Sequence, residues 1–251
     1  MEFQRIRAIV KMEIKRQLRD PLTLFITTLM VPALIVVMGL SLDSVYSWSP
    51  DYSVFEIMFP GFLAYGCLLT IFDVAGSVAT EKELGVQIRL ITSPLSSSEY
   101  IFAQLIAYTI KPLVQAIIGI PLGYLVGYRP DISVMGYILI VVFLIILTFC
   151  SVGFGLITAS LVKNAGAAQG LAFAFIVPQQ IFGSFIPAAF FGLEKFAWVL
   201  PSFYATDGIG LIFAGTNLLD SQIWLRMLLL CTISLVIYVI GTFLFEKNKK
   251  S

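Results

Sequence analysis

Apolar residues run along this chain in long uninterrupted stretches rather than in alternation. Leu22 to Leu42 carries no charge. Ile57 to about Ala79 is broken only by Asp73, Tyr100 to Tyr128 only by Lys111, and Ile132 to Val162 by nothing. Ala165 to Leu193 is uncharged but holds Pro178 and Pro187, and Met227 to Phe245 closes the series. Runs of roughly 18 or more apolar residues are long enough to cross a bilayer as helices. The pattern predicts an all-α integral membrane protein with six transmembrane helices over residues 21–246. A membrane β-barrel would alternate apolar and polar positions in segments of about 10 residues, and no such alternation is seen.

The connecting stretches are patterned too. From Phe3 to Arg19, the residues Phe3, Ile6, Val10, Ile14 and Leu18 recur at helical spacing, with Arg5, Lys11, Lys15, Arg16 and Arg19 on the other side. Such a helix is expected to lie in the membrane interface with its cations at the headgroups. Asp20-Pro21 then restarts the chain, Asp as a cap and Pro at the first helical position, making an elbow over residues 1–20. The stretch EKELGVQIRLITSPLSSSEY, Glu81 to Tyr100, reads as two capping boxes, Thr80–Glu83 and Ser96–Glu99, separated by a Ser93-Pro94 break. A short helix from about Glu81 to Thr92 is expected. Leu84, Ile88 and Ile91 form one apolar stripe, Val86 and Leu90 a second, with Lys82 and Arg89 lying between the second stripe and Glu81. Residues alone leave two readings, a solvated loop or a surface held by a protein partner. The stretch from Phe185 to Leu219 is too apolar for a solvated loop and too broken by Pro187, Pro201, Asp207 and glycines for a span. It is expected to form re-entrant segments that cap a cavity from outside.

Charge orients the whole. The first arm, the loops after spans two and four, and the basic tail 247–251 carry most of the cations, which places both termini in the cytoplasm. The first apolar run is too long for a cleaved leader and is expected to remain as a span. With 251 residues, 59% hydrophobic, 12% charged and a mean hydropathy of +0.94, one membrane domain is expected over 1–251.

The absence of histidine removes zinc-protease and Ser-His or Cys-His chemistry, and no P-loop sequence is present to hold ATP. A carboxylate or Ser-Lys intramembrane enzyme and a non-transporting scaffold remain as minor alternatives. Cys67, Cys150 and Cys231 fall inside spans and are expected to be packed core residues, with no disulfide or metal role. No cofactor on this chain and no nucleic-acid partner are expected.

Taken together, the amphipathic arm with RDPLTLF, the EKELGVQIRLITSPLSSSEY loop, and the GSFIP and LPSFYATD outer region resemble the type-2 permeases of ATP-binding-cassette (ABC) exporters. The resemblance covers essentially the whole chain and implies the type V exporter fold. It also implies a dimer of permeases, homo- or heteromeric, served by two separate ATPase subunits that bind the ATP and Mg. The loop after span two would be the coupling helix in a groove of the ATPase. Its first acid matches Glu81, its glycine Gly85, its basic residue Arg89 and its Pro-Leu pair Pro94-Leu95; Lys82, Glu83, Val86 and Leu90 complete the candidate surface. The outer signature departs from the family at Gly210, six residues after Tyr204. Pro187, Pro201, Tyr204 and Asp207 are the candidate outer gate.

The resemblance places the translocation path between two permease copies, lined by spans two and five. Phe59, Phe62, Leu69, Phe173, Val177, Gln180 and Ser184 are its candidates, with a kink expected at Pro178. Asp73 and Lys111 are the two charges inside spans, both in the inner half; two readings stand, a pair between them or a Lys111 that snorkels to the inner interface. The RDPLTLF start is closer to drug- and lipid-exporting members, and the 21 phenylalanines suit an amphiphile. Export of a hydrophobic or amphipathic substrate from a prokaryotic cell is the expected function, with a lipid-linked polysaccharide as the alternative.

Overall fold

The computed structural model describes residues 3–42, 53–85, 97–185 and 194–249. Among them there are helices and no β-strand. Helices α1 (Phe3–Arg19) and α2 (Pro21–Leu42) meet at Asp20, whose carbonyl accepts from Leu24 N at 3.0 Å. Helix α3 (Val54–Glu83) opens on a reciprocal capping box: Ser53 Oγ accepts from Glu56 N at 3.2 Å, and Glu56 Oε2 accepts from Ser53 N at 3.0 Å. Helix α4 (Ser97–Val126) continues through Pro112 and Pro121. Helix α5 (Val134–Leu161) is capped by Ser133, and α6 (Ala165–Gln180) by Asn164, whose Oδ1 accepts from Ala167 N at 2.7 Å.

Among the described residues, four helices are long and apolar enough to cross a membrane: Val54–Glu83, Glu99–Val126, Val134–Leu161 and Ser221–Lys247. The last belongs to α9 (Ser221–Lys249). Helix α2 supplies a shorter apolar stretch, Thr27–Ser41. The run beginning at Ala165 does not continue as one α-helix. Three residues after Pro178, α6 passes into a π-helical turn, Ile181–Phe185. Pro178 lacks the N–H that would pair with the carbonyl four residues earlier, and the π turn follows it along the helix. Two short helices follow, α7 (Glu194–Ala197) and α8 (Pro201–Phe213).

Helix α3 is the axis of the bundle. It packs against α2, α4, α5, α6 and α8, and its most apolar window is 78% buried, against 22% for that of α9. Apolar burial separates helices from lipid tails that are equally apolar, so close backbone approach and interhelical polar contacts hold such a bundle together. The α5–α9 crossing shows the first device. A side chain at Gly241 would place its Cβ 2.6 Å from the Gly153 carbonyl oxygen, and one at Gly153 would meet the Tyr238 backbone at 3.0 Å. The elbow end, described next, shows the second.

One sequence expectation is corrected by the burial of the cysteines. Cys67 and Cys150 are buried, but Cys231 is exposed on α9, which turns most of its surface outward. The face of α1 that meets the bundle holds Ile6, Ile9 and Glu13, while Phe3 and Leu18 are exposed. Glu13 sits on the bundle-facing side because Tyr108 and Ser77 donate to it there.

Candidate functional site: a polar lock at the elbow end

Helix α4 carries Tyr100, Gln104, Tyr108, Lys111 and Gln115 at intervals of three or four residues. That spacing puts all five on one face over about 22 Å at ~1.5 Å per residue. Each of them finds a partner. Tyr100 OH donates to Glu81 Oε2 and accepts from Gln104 Nε2 at 2.8 Å. Tyr108 OH donates to Glu13 Oε1 at 2.6 Å. Lys111 Nζ donates to both Asp73 Oδ2 and Thr27 Oγ1. Gln115 Nε2 donates to the Thr27 carbonyl at 2.5 Å. The stripe thereby joins α4 to α1, α2 and α3.

Arg16 closes the arrangement from α1. Its Nη1 bonds Glu81 Oε1 at 2.5 Å, and its Nη2 bonds Glu13 Oε1. Ser77 Oγ on α3 donates to the same Glu13 oxygen at 3.2 Å. Glu13 and Glu81 are almost wholly buried, and the half-buried Arg16 faces both acids. Burial lowers the hold of Arg16 on its proton, but Tyr108, Glu13 and Glu81 more than reverse this, and its pKa lies above the ordinary arginine value.

The structure brings Asp73 and Lys111 together as an ion pair, with Thr27 as a third member. It places the candidate coupling residues otherwise than expected. Thr80 to Glu83 form the last turn of α3 and do not cap a new helix: Thr80 Oγ1 bonds back to the Gly76 carbonyl at 2.7 Å, a contact compatible with continued helix. Glu81 points into the bundle, toward Arg16 and Tyr100, and not toward an outside partner. Lys82 Nζ reaches the Val162 carbonyl at 3.4 Å, and Glu83 Oε1 accepts from Ala165 N at 2.9 Å, so both hold the junction between α5 and α6. The helix stops at Gly85, whose φ of +66° lies in the left-handed region that glycine favours. Leu84 beside it is exposed. Val86, Arg89, Leu90 and Pro94 lie outside the described residues.

The seven expected path residues do not share one surface. Phe59 and Phe62 are buried in an aromatic cluster, Phe59 with Tyr128 and Phe213 at 5.2 and 5.4 Å, Phe62 with Phe185 at 5.2 Å. Leu69 and Ser184 are buried within the subunit as well. Phe173 and Val177 are exposed on α6, and Gln180 is half-buried. Apolar periodicity gives the face of a helix but not which neighbour covers it.

At the opposite end, α8 begins at Pro201 in the first helical position. Asp207 Oδ2 pairs with Arg226 Nε at 2.6 Å, and Tyr204 OH donates to the Trp198 carbonyl at 2.6 Å. Ser202 Oγ donates to the Gln179 carbonyl at 2.9 Å, tying α8 to the end of α6 just before the π turn. A cavity of about 530 Å³ lies between this helix, the start of α3 and the α4–α5 connection, lined among others by Glu56, Arg129, Ser184, Phe203, Thr206 and Asp207. Gly210, where the family pattern was interrupted, is on its wall. Pro187 lies outside the described residues.

Sequence reading missed Glu13, Arg16, Tyr100 and Tyr108 as one unit. The signal was available: an acid three residues before an arginine on the elbow, and polar residues at helical spacing inside an apolar run.

The described residues form an apolar helical bundle with acids buried where an amphipathic arm meets its long helices. A family model for ABC-2 type transporters matches residues 4–214, and the chain belongs to that family. Among curated proteins no sequence matches it.

Proposed function

We propose that this chain is the transmembrane subunit of an ATP-driven exporter that moves a hydrophobic or amphipathic substrate outward across a prokaryotic cell membrane. Two copies, or one copy with a related permease, form the path. Two ABC ATPase subunits bind ATP and Mg and dock on the cytoplasmic side. In this reading α2 and α6 with its π turn complete six spans, both termini are cytoplasmic, and α8 re-enters the membrane from outside.

One observation carries the reading: the elbow helix, the end of α3 and the start of α4 are locked together by Arg16, Glu13, Glu81, Tyr100 and Tyr108. The segment between Gly85 and Ser97, which family resemblance gives to the ATPase, hangs from two helix ends that cannot move apart without breaking this lock. A push on the segment is thereby delivered to α1, α3 and α4 as one lever. Glu81 serves the coupling by holding the lever, and Lys82 and Glu83 extend it to the α5–α6 junction.

The test is purification of the chain with a co-expressed ABC ATPase, followed by ATP hydrolysis measured with fluorescent amphiphiles and with lipid-linked glycans. Stimulation by amphiphiles supports the proposal. Stimulation by glycans alone would reassign the substrate, and a chain that retains no ATPase would remove the coupling.

A further inference from the structure

The end of α3 and the corner between α5 and α6 form one surface. Lys82 Nζ donates to the Val162 carbonyl at 3.4 Å, and Glu83 Oε1 accepts from Ala165 N at 2.9 Å. Two consecutive residues of α3 thus grip the corner on either side of Lys163 and Asn164. Around this grip, apolar and charged groups face outward. Leu84 is 70% exposed and Leu161, the last residue of α5, is 61% exposed. Lys163 is exposed and enters none of the ion pairs found among the described residues. Asn164 is exposed too, with its Oδ1 engaged in capping α6.

Lipid tails do not account for Leu84. It follows Lys82 and Glu83, and Gly85 after it ends the helix with a φ of +66°. Charged groups are kept where water or a partner reaches them, so an apolar side chain beyond two of them lies outside the hydrocarbon. Water does not favour it there either, since a leucine gains on being covered. What covers it is indicated by continuity. At Gly85 the chain passes into the segment assigned above to the ATPase, and Glu83, two residues earlier, already touches Ala165. A protein seated on that segment therefore borders the corner. The surface holds Lys82 and Lys163 against the one carboxylate of Glu83, so it presents positive charge to that protein.

We propose that the α5–α6 corner is a second docking point for the same ABC ATPase, with Leu84 and Leu161 in an apolar recess of the partner and Lys163 against an acid at its rim. The inference rests on the reading of this chain as an ATPase-coupled permease and adds a second point of push. Through Val162 and Ala165 the motion reaches α5 and α6 directly, and α6 carries it to its π turn.

The natural chain and Lys163→Glu are reconstituted in nanodiscs and titrated with a fluorescently labelled preparation of the ABC ATPase that is co-expressed with the chain. Lys163→p-benzoylphenylalanine places a photo-crosslinker at the corner. Leu125→p-benzoylphenylalanine places one at the other end of α4, where Leu125 is 82% exposed. Lys163→Glu is expected to bind the ATPase at least tenfold more weakly at an unchanged unfolding midpoint, because a reversed charge then meets the rim acid. The ATPase is expected to crosslink from position 163 and not from position 125. Should the midpoint of Lys163→Glu fall, the crosslink alone decides. A smaller change in affinity at an unchanged midpoint, or a photoproduct from position 163 that holds only lipid or a second copy of the permease, overturns the corner and leaves the coupling reading intact. A natural chain that binds no ATPase overturns both.

Discussion

Arg16 and Glu81 stand 65 positions apart in the chain and 2.5 Å apart in the structure. One belongs to an arm that lies beside the spans, the other to the last turn of the most buried helix. Their contact turns an amphipathic arm into part of the bundle.

Removing one partner of a fully buried pair costs about 3–5 kcal/mol. Arg16 is 36% exposed, so solvent shares its charge and the loss is smaller. Arg16→Met is expected to lower stability by about 2–3 kcal/mol, read as an earlier thermal unfolding midpoint in detergent. A midpoint within error of the natural chain would mean that the pair contributes nothing.

The Asp73–Lys111 pair is more deeply enclosed, with side chains 9% and 12% exposed. Asp73→Asn and Lys111→Met should each destabilise by about 3–5 kcal/mol, and the two together by clearly less than the sum. Strict additivity in this double-mutant cycle would show that the two residues act separately.

Gly241→Ala tests the α5–α9 crossing. Its new methyl would lie 2.6 Å from the Gly153 carbonyl oxygen, so the helices must part. Overpacking of this kind costs about 1–3 kcal/mol. Gly170, around which nothing lies within 4 Å, is the control, and Gly170→Ala should leave the unfolding midpoint unchanged or raise it.

Ser202→Ala removes the donor that α8 offers to the Gln179 carbonyl beside the π turn. Loss of one buried hydrogen bond that leaves an acceptor unpaired is worth about 1–3 kcal/mol. Faster amide exchange confined to α8 and the π turn is the expected signature; uniform exchange across the chain would point to a general loss of stability instead.

Much of the helical layout was legible because a bilayer imposes long apolar runs. The runs starting at Leu22, Ile57, Tyr100, Ile132 and Met227 each correspond to a helix in the structure. The Asp73–Lys111 approach was legible because two charges inside spans, at similar depth, have few alternatives. Three features were not. Thr80–Glu83 has the composition of a cap, but a threonine that bonds back four residues continues a helix equally well. Phe59 and Phe173 look alike as apolar positions, yet one lies among aromatic rings and the other is exposed. Glu13 was hidden by its surroundings, one acid between Phe3 and Arg19 in a basic helix, although its contacts with Tyr108 and Ser77 hold that face of α1 against the bundle.

The reading of this chain as an ATP-driven exporter subunit is tested most directly in proteoliposomes that hold the chain with its ATPase on the outer surface. ATP is added outside, and movement of a fluorescent phospholipid analogue into the lumen is followed over time. The natural complex should accumulate the analogue only with ATP, and Glu81→Gln should hydrolyse ATP with transport reduced at least tenfold. No ATP-dependent movement by the natural complex, whatever the amphiphile, would contradict it.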